Sequence, residues 1–467
     1  MTAPVDSSAL DASGLTPCVA PAGELARALK PRHVAMIALG GIIGAGLFVG
    51  SSAGIAAVGP AILVSYFLAG ILILMVMRML GEMAVANPGL GGFTEYARLG
   101  LGDWAGFVTG WLYWFFWVVV IAVEAIAAAG VLEPMTGLPV WQTGLGLLIA
   151  MTITNLWSAR TFGEFEFWFA SIKVGAIIAF VLTAGAYLFG TPPAAGALAN
   201  LTADGGFAPF GMPAALAGVT TVIFSLVGAE AATIAAAESE EPGRVVARMT
   251  TSLVVRVTLF YLLSLFLIVC IVPWRDIVPG QSPFVAALNV IGIPGAPTLM
   301  SFLVLTAVLS CLNSGIYVTS RTLFVLAARG DAPAPLVALN ARRVPARAIL
   351  LGMAFGYLGV VASIISPQVV FAFLINASGA VMLFIYIIIA VAQIRTRRRL
   401  EQTDPARLQV KMWLFPWLSY AVIAGIAGVL LAMALTPSLT SQLYMSLLAL
   451  GLVLAGYFIH AHIRKSR

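Results

Sequence analysis

Three charged residues stand deep in apolar sequence, and they are the side chains best placed to do chemistry. Glu124, Lys173 and Glu230 each interrupt a run long and apolar enough to cross a bilayer. A mid-helix charge costs about 2.5–3.5 kcal/mol on insertion scales, so such residues are usually paired, turned toward a cavity and functional. The chemistry open to them is proton exchange, because burial penalises the charged form of an ionisable group. Lys173 lies eight residues into the apolar run 165–185, too deep for its ammonium to reach the interface with ease. A buried ion pair that only holds a helix bundle together is the competing reading.

Other chemistries lack their residues. Cys18, Cys270 and Cys311 have no metal-ligand spacing, and His33, His460 and His462 sit at segment ends. No metal, no cofactor beyond the proton and no catalytic residue is therefore expected. A Gly-Lys-Ser/Thr loop for ATP is missing, and Gly41-x-x-Gly44-x-Gly46 has neither dinucleotide spacing nor a preceding soluble strand.

Backbone chemistry is the second resource. Ala38–Val49 holds Gly40, Gly41, Gly44 and Gly46 within an apolar run. Each glycine in a helix interior costs roughly 0.5–1 kcal/mol relative to alanine, so this helix is prone to break. Freed N–H and C=O groups are tolerated in a membrane only where they line a cavity or meet a ligand. Close packing through small residues is the alternative. The pattern returns at Phe224-Ser225-Leu226-Val227-Gly228-Ala229-Glu230, with Gly218 upstream. Half-helix N-termini suit an anionic group, and unwound carbonyls suit a cation. A zwitterion such as an amino acid satisfies both, although other small anions or cations could use half of such a site.

These residues must be positioned by membrane-spanning helices. Of 467 residues, 61% are hydrophobic and 9% charged, far from the roughly 25% charged residues of a soluble domain. Twelve spans of about 20 residues are predicted, near 33–52, 58–80, 104–131, 139–157, 165–189, 213–236, 250–273, 298–327, 347–366, 369–394, 413–435 and 440–461. Breakers separate them, among them Gly59-Pro60, Asn87-Pro88-Gly89, Pro192-Pro193, Glu241-Pro242-Gly243 and Pro294-Gly295. With the N-terminus inside, all of the 25 Lys and Arg except Arg275 and Lys173 fall at or near the cytoplasmic side. Both termini are then cytoplasmic, and the basic excess faces anionic lipid rather than nucleic acid. The Arg395–Arg399 run is read as a solvated topology signal. Residues 1–31 read as a disordered cytoplasmic tail without the features of a cleavable signal peptide. Glu124 falls toward the outer end of its span, Lys173 and Glu230 toward the inner ends of theirs. The two interrupted spans, the first and the sixth, occupy corresponding places in successive five-span halves of opposite sense, the arrangement that marks a secondary-transporter site.

Two further groups are candidates for the same path. The aromatic run Trp111-Leu-Tyr113-Trp114-Phe115-Phe116-Trp117 could line it, against core packing or an interfacial belt. Ser310-Cys311-Leu312-Asn313-Ser314 forms a polar island in the eighth span, for which interhelical hydrogen bonding is the plain alternative.

The chain resembles the amino acid–polyamine–organocation superfamily, and within it the bacterial amino acid transporter family, from Leu29 to about Met412. The likeness is carried by Arg32-His33, Gly40–Val49, Arg78-Met-Leu-Gly-Glu82-Met, Trp111-Leu-Tyr-Trp, Gly163-Glu-Phe-Glu-Phe-Trp168, Ala236-Ala-Glu238 and Arg329-Gly-Asp-Ala-Pro333. Gly46-Leu-Phe-Val-Gly50-Ser-Ser52, Phe116-Trp117-Val-Val, Glu124 and Ser310-Cys-Leu-Asn-Ser314 bring it nearest to the GABA (gamma-aminobutyrate) permeases. The resemblance implies an all-α polytopic membrane protein of twelve transmembrane helices. Ten would form a LeuT-like 5+5 inverted repeat with helices 1 and 6 broken, and two would be peripheral. It divides the chain into the tail at 1–31, a transport core at 32–396 (repeats near 32–190 and 212–396) and a C-terminal part at 397–467. It implies proton-coupled uptake of an amino acid across the cytoplasmic membrane, a lipid-embedded chain working as a monomer. It places the substrate carboxylate on Ile42, Ile43, Gly44, Ala45 and Gly46, and the amino group on the carbonyls of Phe224, Ser225, Leu226 and Val227 beside Gly228 and Glu230. Lys173 takes the place that sodium has in sodium-coupled relatives. Glu124 and Glu230 are further candidates for proton coupling, and Cys311 and Asn313 stand at the pocket side. Gly46 departs from relatives that have serine there.

The rival classes fit less well. An intramembrane enzyme needs a nucleophile–base pair or clustered His and Asp, and a channel commonly repeats its filter in symmetric subunits, whereas here the symmetry is internal. An amino acid exchanger, or a permease for proline, alanine or an aromatic amino acid, remains the alternative on the same fold.

Overall fold

The structure is a computed structural model that describes residues 41–88, 90, 92–157, 159–190, 197–231, 233 and 242–465. Gly40, the tail at 1–31, Cys18, His33 and the acidic turn 238–241 lie outside the described residues. All described regular structure is helical. A π-helical turn at Gly46–Gly50 leads into α1 (Ser51–Val58), followed by α2 (Ile62–Ala86), α3 (Phe93–Leu101), α4 (Asp103–Thr136), α5 (Val140–Trp157) and α6 (Ala159–Phe189). Then come α7 (Gly211–Leu226), α8 (Pro242–Ile271), α9 (Pro283–Ile291), α10 (Ala296–Ala328), α11 (Ala346–Ala362), α12 (Pro367–Ser378), α13 (Val381–Thr403), α14 (Trp417–Leu435) and α15 (Pro437–Lys465).

Helices end where glycine and proline remove continuity. Gly59 takes φ 72°, and a Cβ there would come within 2.5 Å of Pro209, so only glycine fits the turn between α1 and α2. Among the described residues, seven stretches are long and apolar enough to cross a membrane. One of them, Gly46–Ala86, contains both the end of the predicted first span and the second span. The span predicted at 369–394 differs: it is two helices, α12 and α13, parted at Gly379–Ala380. The Ser378 hydroxyl turns back onto the Ile375 carbonyl (2.9 Å), offering the backbone an alternative to continuing the helix.

The centre of the bundle is built from close approaches. The helix α4 packs along α10, and α2 along α7 and α8. A Cβ on Gly110 would sit 2.6 Å from Leu326, and one on Gly100 2.8 Å from the Ala392 backbone. Such contacts are dispersion packing through small residues, the main attraction available between helices in lipid. The most apolar window of α4 is 78% buried against 22% for α14 and 6% for the last helix. Those last two helices lie outside the packed centre.

At the basic end of the bundle, buried ion pairs tie distant segments together. Arg397 Nη1 meets Glu82 Oε2 at 2.7 Å, and Gln393 Nε2 donates to Glu82 Oε1 at 2.9 Å. Arg98 on α3 pairs with Asp331, and Arg329 with Glu95. The solvated reading of Arg395–Arg399 therefore needs correction at one position. The 3.6-residue period turns Gln393 and Arg397 inward while Arg395, Arg398 and Arg399 stay exposed. Removing one partner strands a buried charge. Arg397→Met is expected to cost roughly 3–5 kcal/mol, read as a lower thermal midpoint in detergent. Glu82→Leu combined with Arg397→Met should recover part of that loss, and an unchanged midpoint in the single variant would show that the pair is not needed.

Candidate functional site

The first helix is interrupted at Ile43–Gly44 and resumes at Ala45. Its free groups are taken up by side chains from other helices. The Ala45 N–H donates to both carboxyl oxygens of Glu124, at 3.1 and 3.0 Å. The Ile42 carbonyl accepts from the Tyr261 hydroxyl (3.0 Å), and the Gly41 carbonyl from the Cys311 thiol (3.4 Å). Glycine is required by space as well as by flexibility. A Cβ on Gly44 would lie 2.6 Å from Glu124 Oε1 and 2.7 Å from Cys311 Sγ.

The second interruption follows Leu226. Val227 is extended (ψ 147°), and Gly228 takes φ 125°, a conformation side-chain-bearing residues avoid. A continuing helix would give the Gly228 N–H to the Phe224 carbonyl. It goes instead to Glu230 Oε1 at 3.0 Å, and Glu230 Oε2 accepts from Tyr386 at 3.4 Å. The carbonyls of Phe224–Leu226, in the last turn of α7, and of Val227 just past it therefore lack the donors that a continuing helix would supply. The single Ser225 hydroxyl proton is within donating reach of the Val222 carbonyl (2.8 Å) and of the Tyr66 hydroxyl (3.2 Å).

The two interruptions cross in contact. A Cβ on Gly46 would come within 2.6 Å of Ser225 Cα, and one on Gly228 within 2.7 Å of the Gly41 carbonyl. Between them lies a cavity of about 10 Å³, room for about one water molecule. Gly41, Ile42, Gly46, Phe224 and Val227 line it from the broken helices, Phe116, Trp117 and Glu124 from α4, and Cys311 from α10. Of the aromatic run, Phe116 and Trp117 reach the cavity; Trp111 and Trp114 pack with each other and with Phe107 and Phe355.

The ionisable groups fall into two sets. Glu230 belongs to the second interruption. Glu124, Cys311 and Lys173 form the other, with Cys311 interacting with both charged side chains despite the different depths read for them. Lys173 is fully buried and does not line the cavity. Asn313 faces away from the cavity as well: its amide reaches Glu166 Oε2 (3.5 Å), and Asn155 Nδ2 donates to its Oδ1 (2.7 Å).

Glu166 is the residue that sequence reading passed over. It is fully buried, accepts from the Ser310 hydroxyl and is a charged neighbour of Lys173. A signal existed: Glu166 precedes Lys173 by two helical turns, on one face of α6. Tyr66, Tyr261 and Tyr386 were missed too. Each is a lone tyrosine in an apolar helix, and a buried tyrosine hydroxyl needs a partner.

The chain is similar to known proteins over most of its length. The family model for amino acid permeases matches residues 33–467. The chain is 48% identical over 438 residues to the gamma-aminobutyric acid permease of Bacillus subtilis, covering 93% of each protein. It is 43% identical over 437 residues to the gamma-aminobutyric acid permease of Escherichia coli, covering 92% of this chain and 93% of that one. To the aromatic amino acid transport protein AroP of Corynebacterium glutamicum it is 37% identical over 441 residues, covering 93% and 95%. With apolar helices packed around two crossed interruptions, the chain belongs to the amino acid permease family of multi-pass membrane proteins.

Proposed function

We propose that this permease is a proton-coupled symporter that imports GABA or a similar small zwitterionic amino acid by alternating access. The observation that carries the reading is the Ala45 N–H, bound to a carboxyl group supplied by the protein itself. A half-helix N-terminus that already holds the Glu124 carboxyl can hold a substrate carboxylate in its place. Phe224 and Val227 line the same cavity, and the carbonyls of the Phe224–Val227 stretch suit the substrate amino group in this reading. With room for about one water, the cavity must widen by relative movement of the broken helices before a substrate enters. The proposal includes twelve spans in a 5+5 inverted repeat with two peripheral helices. It also includes cytoplasmic termini, the inner membrane and a functional monomer. Relatives named as GABA permeases favour GABA, and a relative named as an aromatic amino acid transport protein, together with the cavity-lining rings Phe116 and Trp117 of this chain, keeps an aromatic amino acid as the second reading.

The test is uptake by purified protein in proteoliposomes, with substrate identity read from thermal shifts with GABA, proline, alanine, phenylalanine and arginine. An inward proton gradient should stimulate uptake. Indifference to the gradient would remove the coupling, and strict dependence on internal substrate would identify an exchanger. Lys173 carries the coupling in this reading. Lys173→Ala should lose gradient-driven accumulation by about tenfold or more, as expected when a proton-transfer group is deleted, while retaining exchange of substrate. Unaltered accumulation in that variant would reject Lys173.

A further inference from the structure

We propose that Glu166 is the proton-release group of this transporter, taking the proton from Lys173 and passing it to water on the basic side of the bundle. The inference rests on the proton-coupled reading above and assigns a step that Lys173 alone does not explain. An ammonium buried among helices needs an acceptor on the side where the proton leaves.

The geometry supplies one. The two residues share a face of α6 and lie seven positions apart, a rise of about 10 Å. Side chains on a helix lean toward its N-terminus, so the Lys173 stem extends from its own turn toward the turn of Glu166. The groups interact electrostatically. Cys311 on α10 and Glu124 on α4 also neighbour Lys173, and both line the cavity. Glu166 is outside the cavity and six residues from Arg160, near the start of α6. Lys173 thus neighbours one carboxyl that lines the cavity and one that does not.

Glu166 is also held as a working carboxyl would be. Ser310 donates to one oxygen and the Asn313 amide approaches the other at 3.5 Å. Asn155 fixes Asn313 from α5 at 2.7 Å, and two residues later α5 ends at Trp157, with Arg342 stacked on its ring at 4.8 Å. Asn340 Nδ2 reaches the Leu156 carbonyl at 3.4 Å. The amides do not carry protons. They orient the carboxyl and form a polar line from Glu166 toward the end of α5, the route assigned here to water.

The step balances. One proton leaves the Lys173 ammonium for the Glu166 carboxylate, giving a neutral amine and a neutral acid. In a low-dielectric site, that pair avoids two buried charges. The acid then gives its proton to water and returns to carboxylate, while the amine is recharged from the cavity side.

The experiment uses full-length protein in liposomes with a trapped pH dye and labelled GABA as the probe, comparing wild type, Glu166→Gln and Ser310→Ala. Glu166→Gln should retain GABA exchange within about threefold and lose gradient-driven accumulation by at least about tenfold, the scale of a deleted proton-transfer group. Ser310→Ala removes one donor from the carboxyl and should shift the internal-pH dependence of uptake by about one pH unit. Accumulation at the wild-type level in Glu166→Gln, or equal loss of exchange and accumulation, overturns the assignment. If Glu166→Gln does not fold, the Ser310→Ala profile decides: a shift supports the assignment and an unmoved profile overturns it. Wild-type protein that ignores the proton gradient overturns the coupled reading and this step with it. A gradient-driven wild type beside an equally active Glu166→Gln overturns this step alone.

Discussion

Gly44→Leu is expected to abolish substrate binding, with a loss beyond about a hundredfold in affinity, equivalent to roughly 2.8 kcal/mol. The reason is the position of the missing side chain. Its first carbon would stand 2.6 Å from Glu124 Oε1 and 2.7 Å from both Cβ and Sγ of Cys311. Retreat of either neighbour costs it a hydrogen bond. Glu124 is held by the Ala45 N–H and Cys311 by the Gly41 carbonyl. The added atoms must fill the cavity or displace the donor that the substrate needs. Gly44→Ala, with the first carbon alone, should show the same defect in graded form, about tenfold or more. Stability should suffer less than binding, since overpacking typically costs about 1–3 kcal/mol against a large helical core. The measurements are ligand-induced thermal shift and equilibrium binding on protein that elutes as a single species. Wild-type affinity in Gly44→Leu would return Gly41, Gly44 and Gly46 to a packing role.

The parts of the site that sequence made visible are those that violate a local rule. Glycines gathered in an apolar helix, and a lysine or glutamate in such a helix, stand out because lipid penalises them wherever they sit. Gly44, Gly228, Glu124, Lys173 and Glu230 belong to this class. Glu166 breaks no local rule in the sequence, because it stands at the edge of the span predicted at 165–189, two residues after Glu164, where charge is ordinary. Its burial is decided by α10, which sets Ser310 and Asn313 against it. Tyr66, Tyr261 and Tyr386 are likewise unremarkable in their own helices and gain meaning only from the helix each one faces. Arg397 shows the same limit from the other direction. A run of basic residues reads as solvent-facing until the helical phase and Glu82 select one member for the interior. The interruption at Gly379–Ala380 was hidden because a single glycine in an apolar span is common in membranes and is given away here by a Ser378 hydroxyl bond.

The Ala45–Glu124 contact also makes a prediction about pH. Substrate carboxylate and Glu124 carboxylate compete for one donor, and two carboxylates cannot share it without repulsion. Protonation of Glu124 weakens its hold on the N–H and removes that repulsion, so wild-type affinity should rise as pH falls. Where one proton is taken up for each substrate bound, linkage sets the limit at about tenfold in affinity per pH unit. Glu124→Gln keeps the shape and an acceptor oxygen but is neutral throughout. Its affinity should match the acidic limit of the wild type and stay flat between about pH 5.5 and pH 8, apart from titration of the substrate itself. The check is equilibrium binding of labelled substrate to both proteins across that range, with proton uptake measured in two buffers of different ionisation enthalpy. Wild type should take up protons on binding, and Glu124→Gln should take up fewer. Parallel pH profiles in the two proteins would move the competing charge away from Glu124 and leave its bond to Ala45 as a structural cap. A flat profile in the variant alone would make this carboxyl the point where proton and substrate meet, because one backbone N–H serves both.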